Sequence, residues 1–499
     1  MKYIFWLLSL PIGWQPANAQ DFDRIWLSGN NEFPGVQGYG HTRLRFDSDT
    51  VLVEPAVLAF NFESTVAAMA DAGGNLLFYT NGCSVANREH QVMPNGAGLY
   101  PGVISDLVCA KKGYIVPQGA LILPDPGNAD RYYLFHLGAT SDPVRKLRLG
   151  PLYYTLVDMS LDNGVGDVVS KNNILLDGDL GAFAATRHGN GRDWWLVVPE
   201  FGGNAWHVFL LSPQGSSVVN KQVLALTGPP CEKYMGTAMA LRGDKIAHWG
   251  DCGVMVLNFE RCTGAIETAL ELPAPTHWIP GGGVAFSPGG RYLYATSQNV
   301  LFRADLEAAH PKLDTARFSY DPFLQSPNDV PGNTFHHLVN GPDGVIYGSI
   351  PSRARYLHAL KNPDSETVAD LDFVARALQL PATGVRTLPH LPNYRLYDWA
   401  GSNCDTLGIS VAAGEAARNR DCAVHLSPNP VSTLLRVTWP DCPVTAVEIW
   451  DVAGRQIVNV MPGRHSATVD VSAYPAGMYF LRTRFQSEEW RINVLSVAR

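Results

Sequence analysis

Short runs of apolar and aromatic residues, separated by glycine-rich or Asp/Asn-Gly turns, recur along most of the chain. The clearest case runs from Phe286 through Ser-Pro-Gly-Gly-Arg to Tyr292-Leu-Tyr-Ala-Thr-Ser297 and on to Val300-Leu-Phe-Arg-Ala-Asp305. It reads as strand, tight turn, strand, short turn, strand. The same order appears at Asp71–Thr80, Asn340–Gly348 and Arg192–Val198. Glycine supplies the positive φ that such turns need, and branched and aromatic residues suit the strands. Less regular copies lie at Asp130–Leu137 with Tyr153–Asp158, at Gly243–Trp249 with Val254–Phe259, and at Tyr394–Tyr397.

Counting one unit for each copy gives seven units spaced by roughly 45 to 60 residues, the signature of a repeat architecture. The expected fold class is all-β: an N-terminal β-propeller of seven blades over 20–400, with Val51–Phe60 completing the last blade. Two packed sandwiches are the alternative. Little reads as helix. Leu371–Leu380 has some amphipathic character, but Pro381 stops it, so one or two helical turns inside a blade connection are expected.

Beyond Tyr397 the pattern breaks into a connector over 401–422. From 423 to 499 strands follow closely: Leu434–Thr438, Val447–Trp450, Gln456–Val460, Ala467–Val471, Met478–Thr483 and Arg491–Val497. That density predicts a small C-terminal β-sandwich.

Composition agrees with an all-β protein and adds a compartment. Of 499 residues, 46% are hydrophobic and only 17% charged, with 47 Gly and 35 Pro. The net charge of −8 comes without a Lys/Arg block, which argues against a nucleic-acid partner. At the start, Lys2 precedes Ile4-Phe5-Trp6-Leu7-Leu8-Ser9-Leu10, and Ala17-Asn18-Ala19 has small residues at cleavage spacing. Residues 1–19 therefore read as a signal peptide, leaving Gln20 first. In an oxidising compartment the eight cysteines permit four disulfides. Cys252 and Cys262, which flank one strand-like run, are the first candidate pair.

The tail carries ordered turn signals. Pro428-Asn429-Pro430 is a stiff entry, Asp451-Val-Ala-Gly454 a turn with Arg455 behind it, and Asp470 with Ser472 begins a longer turn that reaches Gly477 and Tyr479. Together, in this order, residues 423–499 resemble the C-terminal sorting domain of type IX (Por) secretion substrates of Bacteroidota. Its final strand carries Arg491 and Arg499 and no Lys, a slight departure. The resemblance implies Pro428, Asn429, Pro430, Asp451, Gly454, Asp470, Gly477 and Tyr479 as the sorting motif. It implies the outer-membrane type IX machinery as partner, and release or attachment to surface lipopolysaccharide after delivery. The body is similar, through Gly74–Cys83 and Val92–Gly96, to propeller-like proteins fused to this domain, which have no established activity.

Candidate chemistry in the body is sparse. His136, His188, Glu200, His207, His248, His336 and His337 lie in or beside strands, but none has metal-binding spacing. His136, His188, His248 and His336 fall in different units, as a shared axial site would require. There is no nucleophile elbow and no phosphate loop; Gly281-Gly-Gly283 is a turn before a strand. Asp125–Asp130 lacks calcium-loop spacing and reads as an inter-strand loop. No cofactor or metal is expected. Trp194, Trp195, Trp206, Trp249 and Trp278 suit either a ligand rim or packing between blades, with alternation burying one of Trp194 and Trp195. Two functions stay open: a surface binding module for a glycan or protein ligand, and a secreted hydrolase or lyase acting on polysaccharide or peptide. A plugged axial channel would count against the second.

Overall fold

The computed structural model describes residues 21–498 apart from 37, 48–49, 144–145, 226–233, 276–277, 279–281, 298–299, 319–334, 351–353, 384–387, 408–423, 428–430, 440–443, 452–454, 461–465 and 486–489. The signal-peptide reading at 1–19, the segment Pro428–Pro430 and Gly454 therefore lie outside the described residues. The described residues divide into two compact units, 21–407 and 424–498.

Among the described residues the body forms seven antiparallel sheets, each built from strands consecutive in sequence. The first has three strands (25–56) and the other six have four: 67–97, 120–176, 184–223, 234–273, 284–318 and 338–379. A common turn joins the first two strands of the last six sheets. A backbone N–H closes it onto a carbonyl four to six residues on: Asp71 to Asn75, Asp125 to Arg131, His188 to Asp193, Ala240 to Lys245, Ser287 to Tyr292 and Gly341 to Val345, at 2.7–2.9 Å. The left-handed position of this turn is a glycine in five of the six, with φ +72° at Gly243 and +77° at Gly290. A side chain there would be strained, so the Gly-rich signal reflects backbone geometry.

Each sheet buries both faces against its neighbours. Ile25 and Leu27 pack on Ala68 and Tyr79 of the second sheet. One cluster spans the second, third and fourth sheets through Phe78, Phe135 and Trp194. Trp195 and Val197 face Ile246 and Leu257 of the fifth sheet, and Trp249 faces Phe286 and Leu293 of the sixth. Tyr294 and Leu301 meet Leu338 and Ile346 of the seventh. The seventh packs back on the first, where Tyr347 and Leu357 meet Trp26 and Phe46. Alternation thus sends Trp194 and Trp195 into two different cores, and both are buried.

Four expectations need correction. The unit expected at Tyr394–Tyr397 is not a sheet; the count of seven is made up by the first sheet, 25–56. Val51–Ala56 is accordingly the third strand of that sheet, paired with Gly40–Phe46, and does not complete a later one. Helical turns at 371–380 are replaced by the strand Phe373–Gln379, after a 3₁₀ turn at Val368–Asp370. Pairing with Tyr356–Leu360 satisfies its backbone better than two isolated helical turns could. Finally, Cys262 bonds to Cys404, not to Cys252, and Cys83 bonds to Cys109. Cys231, Cys422 and Cys442 lie outside the described residues. A short helix, Val103–Val108, was not legible in the apolar pattern because it buries no residue fully.

Among its described residues the second unit has seven strands in two sheets. His425–Ser427, Leu434–Thr438 and Ser466–Asp470 form one. Gln456–Val460, Val444–Asp451, Gly477–Phe485 and Trp490–Val497 form the other. Leu435, Val437, Trp439, Ile449, Val469 and Leu481 fill the core between them.

Candidate functional site

The segment 388–404 forms no strand, yet it touches five of the seven sheets and forms a strap. Leu388 N donates to His337 Nδ1 at 3.3 Å, just before the seventh sheet. His390 Nε2 donates to the Phe183 carbonyl at 2.6 Å, beside the fourth sheet, so Nδ1 is free to accept from Gln118 Nε2 at 3.1 Å. Gln118, whose own backbone is left-handed, also clamps Thr237 through both its N–H (3.0 Å) and its carbonyl (2.9 Å). Tyr394 donates to the Ile122 carbonyl at 2.6 Å, with its ring against Phe22 and Trp194. Arg261 donates to the Tyr397 carbonyl, and the Cys262–Cys404 disulfide ends the strap on the fifth sheet. Leu388, His390 and Tyr394 are all buried.

Arg395 fastens the strap to the start of the body, meeting Asp23 at 2.5 Å and Asp21 at 3.0 Å. Burial pushes the Asp23 carboxyl above the usual carboxylate range, although Arg395 pulls it down. A raised folded pKa means that Asp23 favours folding when protonated and costs stability as it ionises on raising pH. Arg395 offsets that cost. Arg395→Ala is therefore expected to destabilise the body by about 3 kcal/mol near neutrality. The deficit should shrink as pH falls and Asp23 takes up its proton. Urea unfolding at ~pH 8 and ~pH 6, both on the stable side of the acid transition, checks this; an equal deficit at both would show that charge pairing is not the cause.

The structure does not gather the histidines that fall in different units. His136 bonds Thr155 Oγ1 at 2.9 Å between the rings of Tyr100 and Tyr153. His248 bonds Thr237 Oγ1 at 2.8 Å, and that hydroxyl lies 2.6 Å from the Ala182 carbonyl. His188 bonds the Cys262 carbonyl and packs on Trp195. His336 donates its backbone N–H to Ser349, and His337 serves the strap. Burial drives His136, His248 and His337 down to about 3, so each stays neutral. Among the described residues no cluster of His, Cys, Asp or Glu stands in metal-holding reach.

Two candidates do meet. Glu200 Oε1 lies 2.8 Å from His207 Nε2 and 2.6 Å from Lys221 Nζ, and the Lys221 bond, then His207, lowers its pKa. His207 and Lys221 are direct cross-strand partners, so this is a charged pair row on a half-exposed sheet face. Gln118, Thr237 and His390 were missed in sequence; none carries a motif, and Gln118 and His390 meet across 272 positions.

In the second unit, the described motif residues close turns. Asp451 accepts the Arg455 N–H at 2.9 Å and pairs with its guanidinium at 2.8 Å. Asp470 accepts from the Ser472 N–H and hydroxyl at 2.9 and 2.6 Å, which holds its carboxyl below the usual range. Gly477 opens the strand Gly477–Phe485. Tyr479 is buried in the core and donates to the Pro475 carbonyl at 2.9 Å.

Residues 425–494 match the family described as "Secretion system C-terminal sorting domain". No curated protein matches the chain. Among solved structures, a protein from Lactobacillus plantarum is similar at 12% identity and TM-score 0.43, covering 73% of this chain and 98% of its own. A putative 6-phosphogluconolactonase from Bacteroides uniformis gives 11% and 0.38, covering 72% and 98%. A β-propeller domain from Myceliophteria thermophila gives 12% and 0.29, covering 76% and 97%. The C-terminal unit is a type IX (Por) secretion sorting domain, and the protein that carries it is secreted or displayed at the cell surface in association with the outer membrane.

Proposed function

We propose that the protein is a type IX secretion substrate whose body, 20–400, is a closed seven-bladed propeller acting as a binding module. The signal peptide 1–19 directs export, 401–422 links, and 423–499 engages the outer-membrane machinery. Pro428, Asn429, Pro430, Asp451, Gly454, Asp470, Gly477 and Tyr479 mark that domain by setting its turns. After delivery the body is released or held on surface lipopolysaccharide. The cyclic order of sheet packing, with the seventh sheet on the first, supports the closed ring.

The observation that carries the binding reading is the strap. The buried residues Leu388, His390 and Tyr394 bond to groups beside the seventh, fourth and third sheets, a convergence of blades that a propeller enzyme would need for its own pocket. His136 and His248, two of the histidines an axial hydrolase would use, are kept neutral by burial and bonded within their own surroundings. A binding module instead uses its rim and outer surface, for a glycan or protein ligand.

The test is expression in a type IX-competent host with and without residues 423–499. The full chain is expected at the surface or in the medium, and the truncated chain in the periplasm. Equal delivery of both forms would overturn the sorting role.

A further inference from the structure

The strap ends on the turn between the first two strands of the fourth sheet, where the Trp399 N–H donates to the Gly189 carbonyl at 2.7 Å. No side chain fits beneath it. A Cβ on Gly189 would meet Cys404 Sγ, and one on Gly191 would stand 2.9 Å from the Asp398 nitrogen. Glycine at both places lets the strap lie down on the turn. Past Tyr397 its own hold is thin. Trp399 and Leu407 are exposed, and among the described residues the Trp399 N–H makes the only backbone bond from 398–407 to the rest of the body. Cys262, at the other end of the disulfide, sits in a turn tied at each position. The Glu260 carboxylate accepts from the Cys262 N–H at 2.9 Å and from the Thr263 N–H and hydroxyl at 2.6 Å. The Arg261 carbonyl accepts from Trp195 Nε1 at 2.6 Å and from the Gly189 N–H at 2.9 Å, which binds this turn of the fifth sheet to the fourth.

The C-terminal unit joins the body through 408–423, directly after this thin end. A pull on that unit therefore reaches the body first at Cys404. With the disulfide closed, the load crosses the two sulfurs into the Cys262 turn, and the strap carries none of it. With the bond open, the same pull would run up the strap and meet its ties in series. These are Trp399 on Gly189, Arg261 on the Tyr397 carbonyl, Arg187 on the Tyr394 carbonyl, and then Arg395 on Asp21 and Asp23. Such ties, each modest, give way one after another when loaded one after another, while a covalent bond holds. The disulfide is placed at the last anchored residue of the strap and not among its buried side chains, which is where a load arriving from 408–423 has to be taken.

We infer that the Cys262–Cys404 bond is the load-bearing anchor of the body: it takes the pull that the sorting domain transmits during passage across the outer membrane, and so keeps the strap seated. This role rests on the reading of the chain as a type IX substrate. The test stretches the full mature chain in optical tweezers, with handles at its two ends. The unaltered chain should show no extension from the strap before its sheets open. Cys262→Ser with Cys404→Ser should add an early step of roughly 5 nm at low force, as 388–404 peels away at ~3.3–3.6 Å per residue. Cys83→Ser with Cys109→Ser should not add that step, which separates the load path from a general weakening of the body. Should the first double variant fail to fold, the unaltered folded chain reduced with a phosphine in the trap supplies the same comparison. The anchor is lost as an idea if the step is present in the unaltered chain, absent from the opened one, or equally present in the Cys83/Cys109 variant. The trap reads the anchor without any secretion, and deletion of 423–499 tests the secretion reading by itself. Normal delivery of the truncated chain would remove the source of the load and leave the mechanical result standing.

Discussion

Lowering the pH from ~7 to ~5 is expected to unfold the body, well before carboxylate pairs begin to fail. His136, His248 and His337 are pushed down to about 3, and His358 and His390 to about 4, in each case first by burial. A histidine with a depressed folded pKa contributes stability that is present above its unfolded value and lost as pH falls toward the folded one. Each residue that stays neutral in the fold but protonates when unfolded steepens the loss by ~1.4 kcal/mol per pH unit. Five together remove about 10 kcal/mol between ~pH 6.5 and ~pH 5, the middle of the usual stability margin of ~5–15 kcal/mol. Carboxylates such as Asp305, held down chiefly by its bond from Arg291, act only at lower pH. Tryptophan fluorescence and urea midpoints from ~pH 7 to ~pH 5 measure the slope. An unchanged midpoint across that window would mean that these rings are not buried neutral. His136→Gln should flatten the slope by about one histidine's share.

The second large effect concerns the clasp on the strap. Cys262 and Cys404 are 142 residues apart, with Cα atoms 5.4 Å from each other. Cross-linking so long a loop removes much unfolded-chain entropy, worth about 4–5 kcal/mol. Replacing both cysteines with serine should cost that much in urea unfolding. The Cys83–Cys109 bond closes only 26 residues, so its double variant should cost less, about 3–4 kcal/mol. The larger loss should be accompanied by faster amide exchange over 388–404. The reverse order of the two variants would show that loop length does not govern the clasp.

What was legible in the sequence follows from range. The hairpin turns were readable because Gly243, Gly290 and their counterparts satisfy a local backbone demand visible within five residues. The strands of the second unit were readable for the same reason: Leu434–Thr438 and Gln456–Val460 alternate between turns and have the bounds expected. The motif residues Asp451 and Asp470 bond two to four positions ahead, so their spacing is itself the chemistry. Long-range partners left no such trace. Tyr394-Arg395-Leu396-Tyr397 looks like a strand by alternation. Its residues instead bond to Ile122, Asp23 and Asp21, hundreds of positions away. Cys252 and Cys262 flank one strand, but that strand's neighbours in space include Cys404. Both tryptophans of the Trp194–Trp195 pair are buried because the sheet has a neighbour on each side, a fact about packing that no single strand encodes.

The strap also sets when folding can finish. Each sheet is a local meander and can form as soon as its own strands exist. Asp21 and Asp23 must wait for Arg395, across 374 and 372 positions. Contacts of that separation are among the slowest to form, and chains emerge from their N-terminal end. The early sheets therefore stand with an unshielded interior until the last stretch of the body arrives. During that interval the groups that the strap covers, Gln118, Phe183 and Trp194 among them, are open to water and to chaperones. The lifetime of that open state, more than the formation of any single sheet, sets how long the chain needs protection on its way out of the cell.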